Sequence, residues 1–195
     1  SYSEIKPKIH VGKTKPNYKL DYVVLAPHGS KHASYWNYPG GWQQVVDFLN
    51  ANKYKVLVIS KESLNNDWHN SKLGGKLNNI VDRSGDQSLQ KRFTDIINAK
   101  AFVGIGSGLT WASWALNVPT VLISGFSEKY SEMSDCYRVA APRNVCSGCY
   151  NTHQLDAGDW EWCPFHKDTP RHFECSKSIK PDSVINVLKE ILNIY

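Results

Sequence analysis

Four cysteines between positions 146 and 175 are spaced so that they could close on one ion. They are Cys146-Ser147-Gly148-Cys149, then Cys163 after thirteen intervening residues and Cys175 after eleven more. Two thiolates two residues apart can turn toward a common point, and Gly148 lets the backbone N–H groups face those sulfurs. Four thiolates favour tetrahedral Zn²⁺ or a single iron. Such a closed site has no open coordination position, so its role is structural, adding folding free energy that a polar segment cannot get from burial. Two disulfides or four reduced core thiols are the alternatives. The odd total of five Cys and the C-x2-C spacing argue against a secreted disulfide scaffold. His153, His166 and His172 can each substitute for a sulfur but read more simply as surface residues. Cys136 lies outside the spacing and reads as a free buried thiol.

A second set of residues suits anion binding. Ala101 to Gly108 (AFVGIGSG) reads as a strand running through a tight turn into a helix that begins Leu109-Thr110-Trp111. Amides at a helix start carry partial positive charge and can hold a diphosphate. Gly106 and Gly108 permit close approach of the backbone, and Ser107 and Thr110 add hydroxyls. The turn matches neither the six-residue dinucleotide fingerprint nor a Walker loop, and a purely structural strand–helix turn is the alternative. Gly29-Ser30-Lys31 follows another strand, where Lys31 can neutralise a phosphate or simply be a solvated loop lysine. Ser60 and Glu62 close a third strand, with the carboxylate able to accept from a ribose or a base amine.

The elements that must position these groups alternate. Strands are expected at 22–26 (YVVLA), 54–60 (YKVLVIS), 79–82, 101–105 and 119–124. Helices are expected at 41–52, 88–98 with Leu89, Phe93, Ile96 and Ile97 on one face, 109–116, and 183–192 capped by Ser183 or Asp182. The sequence therefore predicts an α/β fold, a Rossmann-like parallel sheet with helices on both faces. Residues 1–20 hold Pro7, Pro16 and a loose cluster of Lys13, Lys15 and Lys19, and read as a linker or arm. Residues 21–138 and 179–195 form the α/β domain. Residues 139–178 break the rhythm and read as a Cys-rich metal finger, an insertion held by something other than a hydrophobic core.

Composition bounds the function. The chain has 195 residues, 41% hydrophobic and 21% charged, which suits one globular domain rather than a disordered chain. The net charge of +5, from 23 Lys and Arg against 18 Asp and Glu, is mild and scattered, so nucleic acid is not an expected partner. Seven Trp and ten Tyr read mostly as packing residues. No apolar run reaches the ~20 residues of a membrane span, and the opening is polar, so a soluble, cytoplasmic protein is expected.

The order strand, Gly29-Ser30-Lys31 loop, helix with Trp42, strand ending at Ser60–Glu62, then Ala99 to Trp111 and Asn117-Val118-Pro119-Thr120-Val121 resembles a known family. It is similar to the carboxyl-terminal, nucleotide-sugar-binding half of heptosyltransferases of the GT-B type. With its four cysteines it looks most like the bacterial autotransporter heptosyltransferases, over roughly Asp21 to Tyr195. The resemblance implies one half of a GT-B fold and an ADP-heptose-like donor. It also implies a sugar acceptor hydroxyl on protein, and one structural iron or zinc on Cys146, Cys149, Cys163 and Cys175. Lys31 would be the catalytic cation beside Gly29 and Ser30. Ser60 and Glu62 would lie near the nucleoside, and Gly106, Ser107, Gly108, Leu109, Thr110 and Trp111 near the diphosphate. The wider family has Asp-Thr-Gly-Leu-Thr-His where this chain has Gly106 to Trp111, so an acidic and an imidazole contact are replaced. The general base and acceptor site would come from another domain or chain, and homo-oligomers are within the pattern. The alternatives are a nucleotide-binding module without catalysis and a metal-finger interaction protein on an α/β scaffold.

Overall fold

A computed structural model describes residues 6–12, 14 and 18–195. Lys13, Lys15 and Pro16 of the expected arm lie outside the described residues. The elements are β1 (Tyr22–Ala26), α1 (Gly41–Ala51), β2 (Lys55–Val58), α2 (Asp67–Lys72), β3 (Val81–Asp82), α3 (Leu89–Ile97), β4 (Ala101–Ile105), α4 (Gly108–Ala115), β5 (Thr120–Ser124), β6 (Tyr137–Ala140), α5 (Cys149–Thr152), α6 (Glu174–Lys177) and α7 (Pro181–Leu192). The six strands form one sheet in the order β3-β2-β1-β4-β5-β6, and every pairing is parallel.

Because consecutive strand residues point to opposite faces, the buried runs of β1, β2 and β4 feed two cores. Val23, Leu25, Val56, Val58, Val103 and Ile105 face one side, with Trp42, Val45 and Leu49 of α1 and Val184 and Leu188 of α7. Tyr22, Val24, Leu57 and Phe102 face the other, with Ile96 of α3 and Leu116 just after α4. The described part of the amino-terminal arm joins the second core through Ile9 and Val11, and the Ile9 amide donates to the Ala115 carbonyl at 3.4 Å.

Three local expectations are corrected. The closing helix begins two residues early, with Lys180 as its N-cap and Pro181 in the first turn, so neither Ser183 nor Asp182 caps it. Proline suits that place because its missing N–H would have no intrahelical partner there. Leu89 is 66% exposed rather than on the buried face of α3, since it stands at the helix start over a cavity. β6, with Arg138 inside four residues, is not legible as a strand from its sequence: it is a short sheet edge with one buried side chain, Val139. The Cys-rich segment also has a small core, in which Cys149, Trp162 and Phe173 pack with Ala33.

Candidate functional site

In a parallel sheet, ligands collect outside the carboxyl ends of the strands where the winding reverses. Here that point lies between β1 and β4, which are adjacent although everything from α1 to α3 separates them in sequence. A cavity of about 700 Å³ opens there. Its walls are His28, Gly29 and Ser30 after β1, Ser60 and Glu62 after β2, Gly85 to Gln87 before α3, and Ser107, Gly108 and Leu109 at the start of α4.

The start of α4 contributes Ser107, Gly108 and Leu109 to this wall. The Ser107 carbonyl accepts the amides of Thr110 at 3.1 Å and Trp111 at 3.2 Å. The amides of Gly108 and Leu109 belong to the first turn and have no intrahelical carbonyl to donate to. A Cβ added at Gly108 would meet nothing within 4 Å, and one at Gly106 only Ser127 Oγ at 3.9 Å, so the space in front of the turn is open. Thr110 departs from expectation. It is fully buried, and its hydroxyl donates to the Ile105 carbonyl at 2.5 Å, which ties the turn to β4.

The opposite wall is a polar relay. Ser60 Oγ accepts the Glu62 amide at 3.1 Å and lies 2.8 Å from His28 Nδ1, within hydrogen-bond distance. Nε2 of the ring is buried and has no hydrogen-bond partner among the described residues. Burial, and then the nearby His69, hold the His28 pKa down to about 4, so the ring is neutral at neutral pH. The exposed carboxylate of Glu62 stands 3.5 Å from His69 Nε2.

Neither His28 nor Arg92 stands out in the sequence. Arg92 is buried and donates to the carbonyls of Ser60 at 2.8 Å, Gly85 at 2.6 Å and Arg83, locking the β2 end to the loop before α3. A signal existed: an arginine four residues before Ile96, on the inward face of a helix, must find acceptors there.

Lys31 lies elsewhere. Its ammonium donates to the carbonyls of Ala157 and Asp159, the latter at 3.2 Å, in the Cys-rich segment. It lines a second, smaller cavity of about 270 Å³ together with Ser30, Ser34, Gly106 and Trp111, faced by Phe126, Glu132 and Tyr150. The expected site residues therefore divide. Gly29, Ser30, Ser60, Glu62, Ser107, Gly108 and Leu109 line the large cavity, whereas Lys31, Gly106 and Trp111 line the small one, and Ser30 is shared. The next loop is clamped as well: the His32 amide donates to the Trp160 carbonyl at 3.3 Å, and Glu161 bridges His32 at 2.7 Å and Lys72 at 2.9 Å.

The four spaced cysteines are free thiols. Burial is the first cause that pushes Cys146 and Cys175 up to about 12; Cys175 also feels the other three thiols, and Cys146 feels Glu174, Cys149 and Cys163. Cys149 is raised by burial and then by Cys163. Among the described residues, the group whose ligand atoms all lie within 4.8 Å of one another is Cys146, His166 and Glu174, not the four sulfurs. Glu174 accepts the Cys146 amide at 3.2 Å and two bonds from Arg171 at 2.6 and 2.7 Å, and Arg171 is the first cause holding its carboxyl down to about 2. Cys136 is only partly buried and donates to the Met133 carbonyl at 3.3 Å. No described helix is long and apolar enough to cross a membrane.

No family model matches the chain. It is 37% identical over 175 residues to the autotransporter heptosyltransferase BAHTCr of Citrobacter rodentium, covering 87% of this chain and 41% of that protein. It is 28% identical over 193 residues to the inactive autotransporter heptosyltransferase BimC of Burkholderia thailandensis, covering 98% of this chain and 45% of that one. Among solved structures, it superposes on the dodecameric, iron-containing heptosyltransferase TibC of Escherichia coli in complex with ADP-D-β-D-heptose. That match has a TM-score of 0.82 and 31% identity, over 92% of this chain and 47% of that chain. The sheet and its helices are thus one half of the fold of such an enzyme, and the chain spans less than half the length of these relatives.

Proposed function

The chain is homologous to one stretch of the autotransporter heptosyltransferases, and on that premise we propose that it is the donor-binding half of a glycosyltransferase. It takes a nucleoside-diphosphate sugar of the ADP-heptose kind, for transfer to a hydroxyl on a protein acceptor. The observation that carries this reading is the open cavity at the β1–β4 switch point, with uncrowded amides at Gly108 and Leu109. Nucleoside contacts fall to the Ser60–Glu62 wall.

As the glycosidic bond breaks, negative charge grows on the leaving diphosphate. Preorganised amide donors and a cation stabilise that charge without reorganising at the moment of reaction. The α4 amides are in place for this. In this reading Lys31 reaches the diphosphate once its ammonium leaves the carbonyls of Ala157 and Asp159. The acceptor hydroxyl needs a base with a pKa near operating pH, and in this reading the base comes from a further domain or chain. Homo-oligomerisation belongs to the same reading, since TibC is dodecameric.

Cys146, Cys149, Cys163 and Cys175 would hold one structural iron or zinc. The fit rests on the chemistry of the donor set, four free thiols, in a segment that turns at Gly148, φ 73°, between Cys146 and Cys149. Bound metal would keep these thiols deprotonated and cross-link the segment.

A module that binds the donor without transferring it is the second reading. It is favoured by the engagement of the Lys31 ammonium within the protein and by the inactive relative BimC. Calorimetric titration with ADP, ADP-heptose and other nucleoside diphosphates, beside elemental analysis, tests both. Binding of ADP well above adenosine is expected, with Lys31→Ala weaker by about tenfold or more, as for one charge-assisted hydrogen bond. Equal affinity for adenosine and ADP would contradict the donor-site reading. Sugar transfer catalysed by this chain alone would contradict an external base.

A further inference from the structure

The side chain of Glu62 is 48% exposed at the rim of the large cavity. A glutamate so placed has three rotatable bonds, and a ligand that uses it must first order it. Here α2 does the ordering in advance. His69 Nε2 lies 3.5 Å from Glu62 Oε2, which leaves the other carboxylate oxygen for a ligand. The imidazole is itself held. Its side chain is only 12% exposed, and the ring stands edge-on to His28 at 5.5 Å and to Trp68 at 4.9 Å, centroid to centroid. The Asn66 side chain caps the helix by accepting the amides of Trp68 at 3.0 Å and His69 at 3.3 Å. A helix of six residues does not hold its place by propensity alone. On its inner side the buried Asn70 donates to the Leu64 carbonyl at 2.6 Å. On its outer side the Cys-rich segment grips it twice. Trp68 packs on Trp160 with centroids 5.1 Å apart, and Lys72 Nζ donates to Glu161 Oε1 at 2.9 Å.

Building on the donor-site reading, we propose that His69 is a positioning residue that fixes the Glu62 carboxylate for the nucleoside, and that α2 is the strut through which the Cys-rich segment steadies that wall. His69 is not among the residues that line the large cavity, so it acts through Glu62 and not on the ligand. The Cys-rich segment thereby acquires a role at the donor site beyond its own folding. The same ring could serve only as packing between His28 and Trp68. The two roles differ in one respect: a positioning role depends on Glu62 being a carboxylate, and a packing role does not.

The test is a cycle of variants read by calorimetric ADP affinity. It uses the wild-type protein, His69→Ala, His69→Gln, Trp68→Ala and Glu62→Gln, with His69→Ala and Trp68→Ala repeated in the Glu62→Gln background. His69→Ala is expected to weaken ADP binding about fivefold, the scale of one partly exposed ion-pair contact, and Trp68→Ala about threefold. His69→Gln keeps a side-chain N–H donor and should stay within about twofold of wild type. Trp68 is exposed, so its variant keeps the question answerable if His69→Ala unfolds. Both losses should vanish in the Glu62→Gln background, where no carboxylate is left to position. No loss for His69→Ala, a loss of equal size in both backgrounds, or a His69→Gln protein as weak as His69→Ala overturns the positioning role. Wild-type affinity in Trp68→Ala overturns the strut. A Glu62→Gln protein that binds ADP as the wild type does overturns the proposal while ADP binding at the turn stands. A wild-type protein that binds no ADP overturns both.

Discussion

At the scale of single residues, the site is a set of groups whose states are fixed by what they touch. Thr110 has the right chemistry for a ligand contact, but its proton is committed to Ile105. Lys31 is committed too, to the carbonyls of Ala157 and Asp159, which a diphosphate would have to replace under the proposed donor reading. His28 is held neutral by burial, and this has a measurable consequence. Its folded pKa of about 4 lies below the ordinary 6.5, so between these values the unfolded chain binds the proton and the folded one does not. Stability should be full above pH 6.5 and fall as pH drops toward 4, by up to about 3 kcal/mol from this residue. Urea unfolding across that window should show a shallower pH slope for His28→Gln than for wild type. Equal slopes would mean that the ring is already charged or solvated in the fold.

Elements set the precision of those groups. The strands β1, β2, β4 and β5 and the helices α1, α3 and α4 are legible in the sequence because each carries an apolar run or stripe of the right period, and Ala101–Ile105 and Tyr22–Ala26 match residue for residue. The Gly-rich turn and the Ser60–Glu62 wall can be placed for the same reason: they sit where such strands stop. What stays hidden depends on tertiary partners. Arg92 and His28 look ordinary until the β2 end is packed against them, the edge strand β6 is too short to show a period, and the direction of Lys31 is decided by the segment at 157–161. The Cys-rich region turns at Gly148, in the left-handed region at φ 73°, where an added Cβ would also run into the Glu128 side chain. Gly148→Ala should therefore cost about 1–2 kcal/mol of local backbone strain and lower the metal content of purified protein, read by elemental analysis beside thermal unfolding. Unchanged metal content and stability would place the Cys146–Cys149 turn outside any metal site.

For the whole molecule, the proposed donor site runs along the carboxyl ends of the strands: the Ser60–Glu62 wall, the turn at Gly106 to Leu109 and, across it, a smaller cavity that Tyr150 of the Cys-rich segment lines. Only the middle of this arrangement is needed for the other two to have meaning. A crystal structure of the protein saturated with ADP tests it most directly. Two phosphates should be bonded to the Gly108 and Leu109 amides, with the Lys31 ammonium drawn off Ala157 and Asp159 toward them. A nucleotide bound anywhere else, or that crevice filled by the protein's own side chains at saturating ADP, would contradict a donor site at this turn.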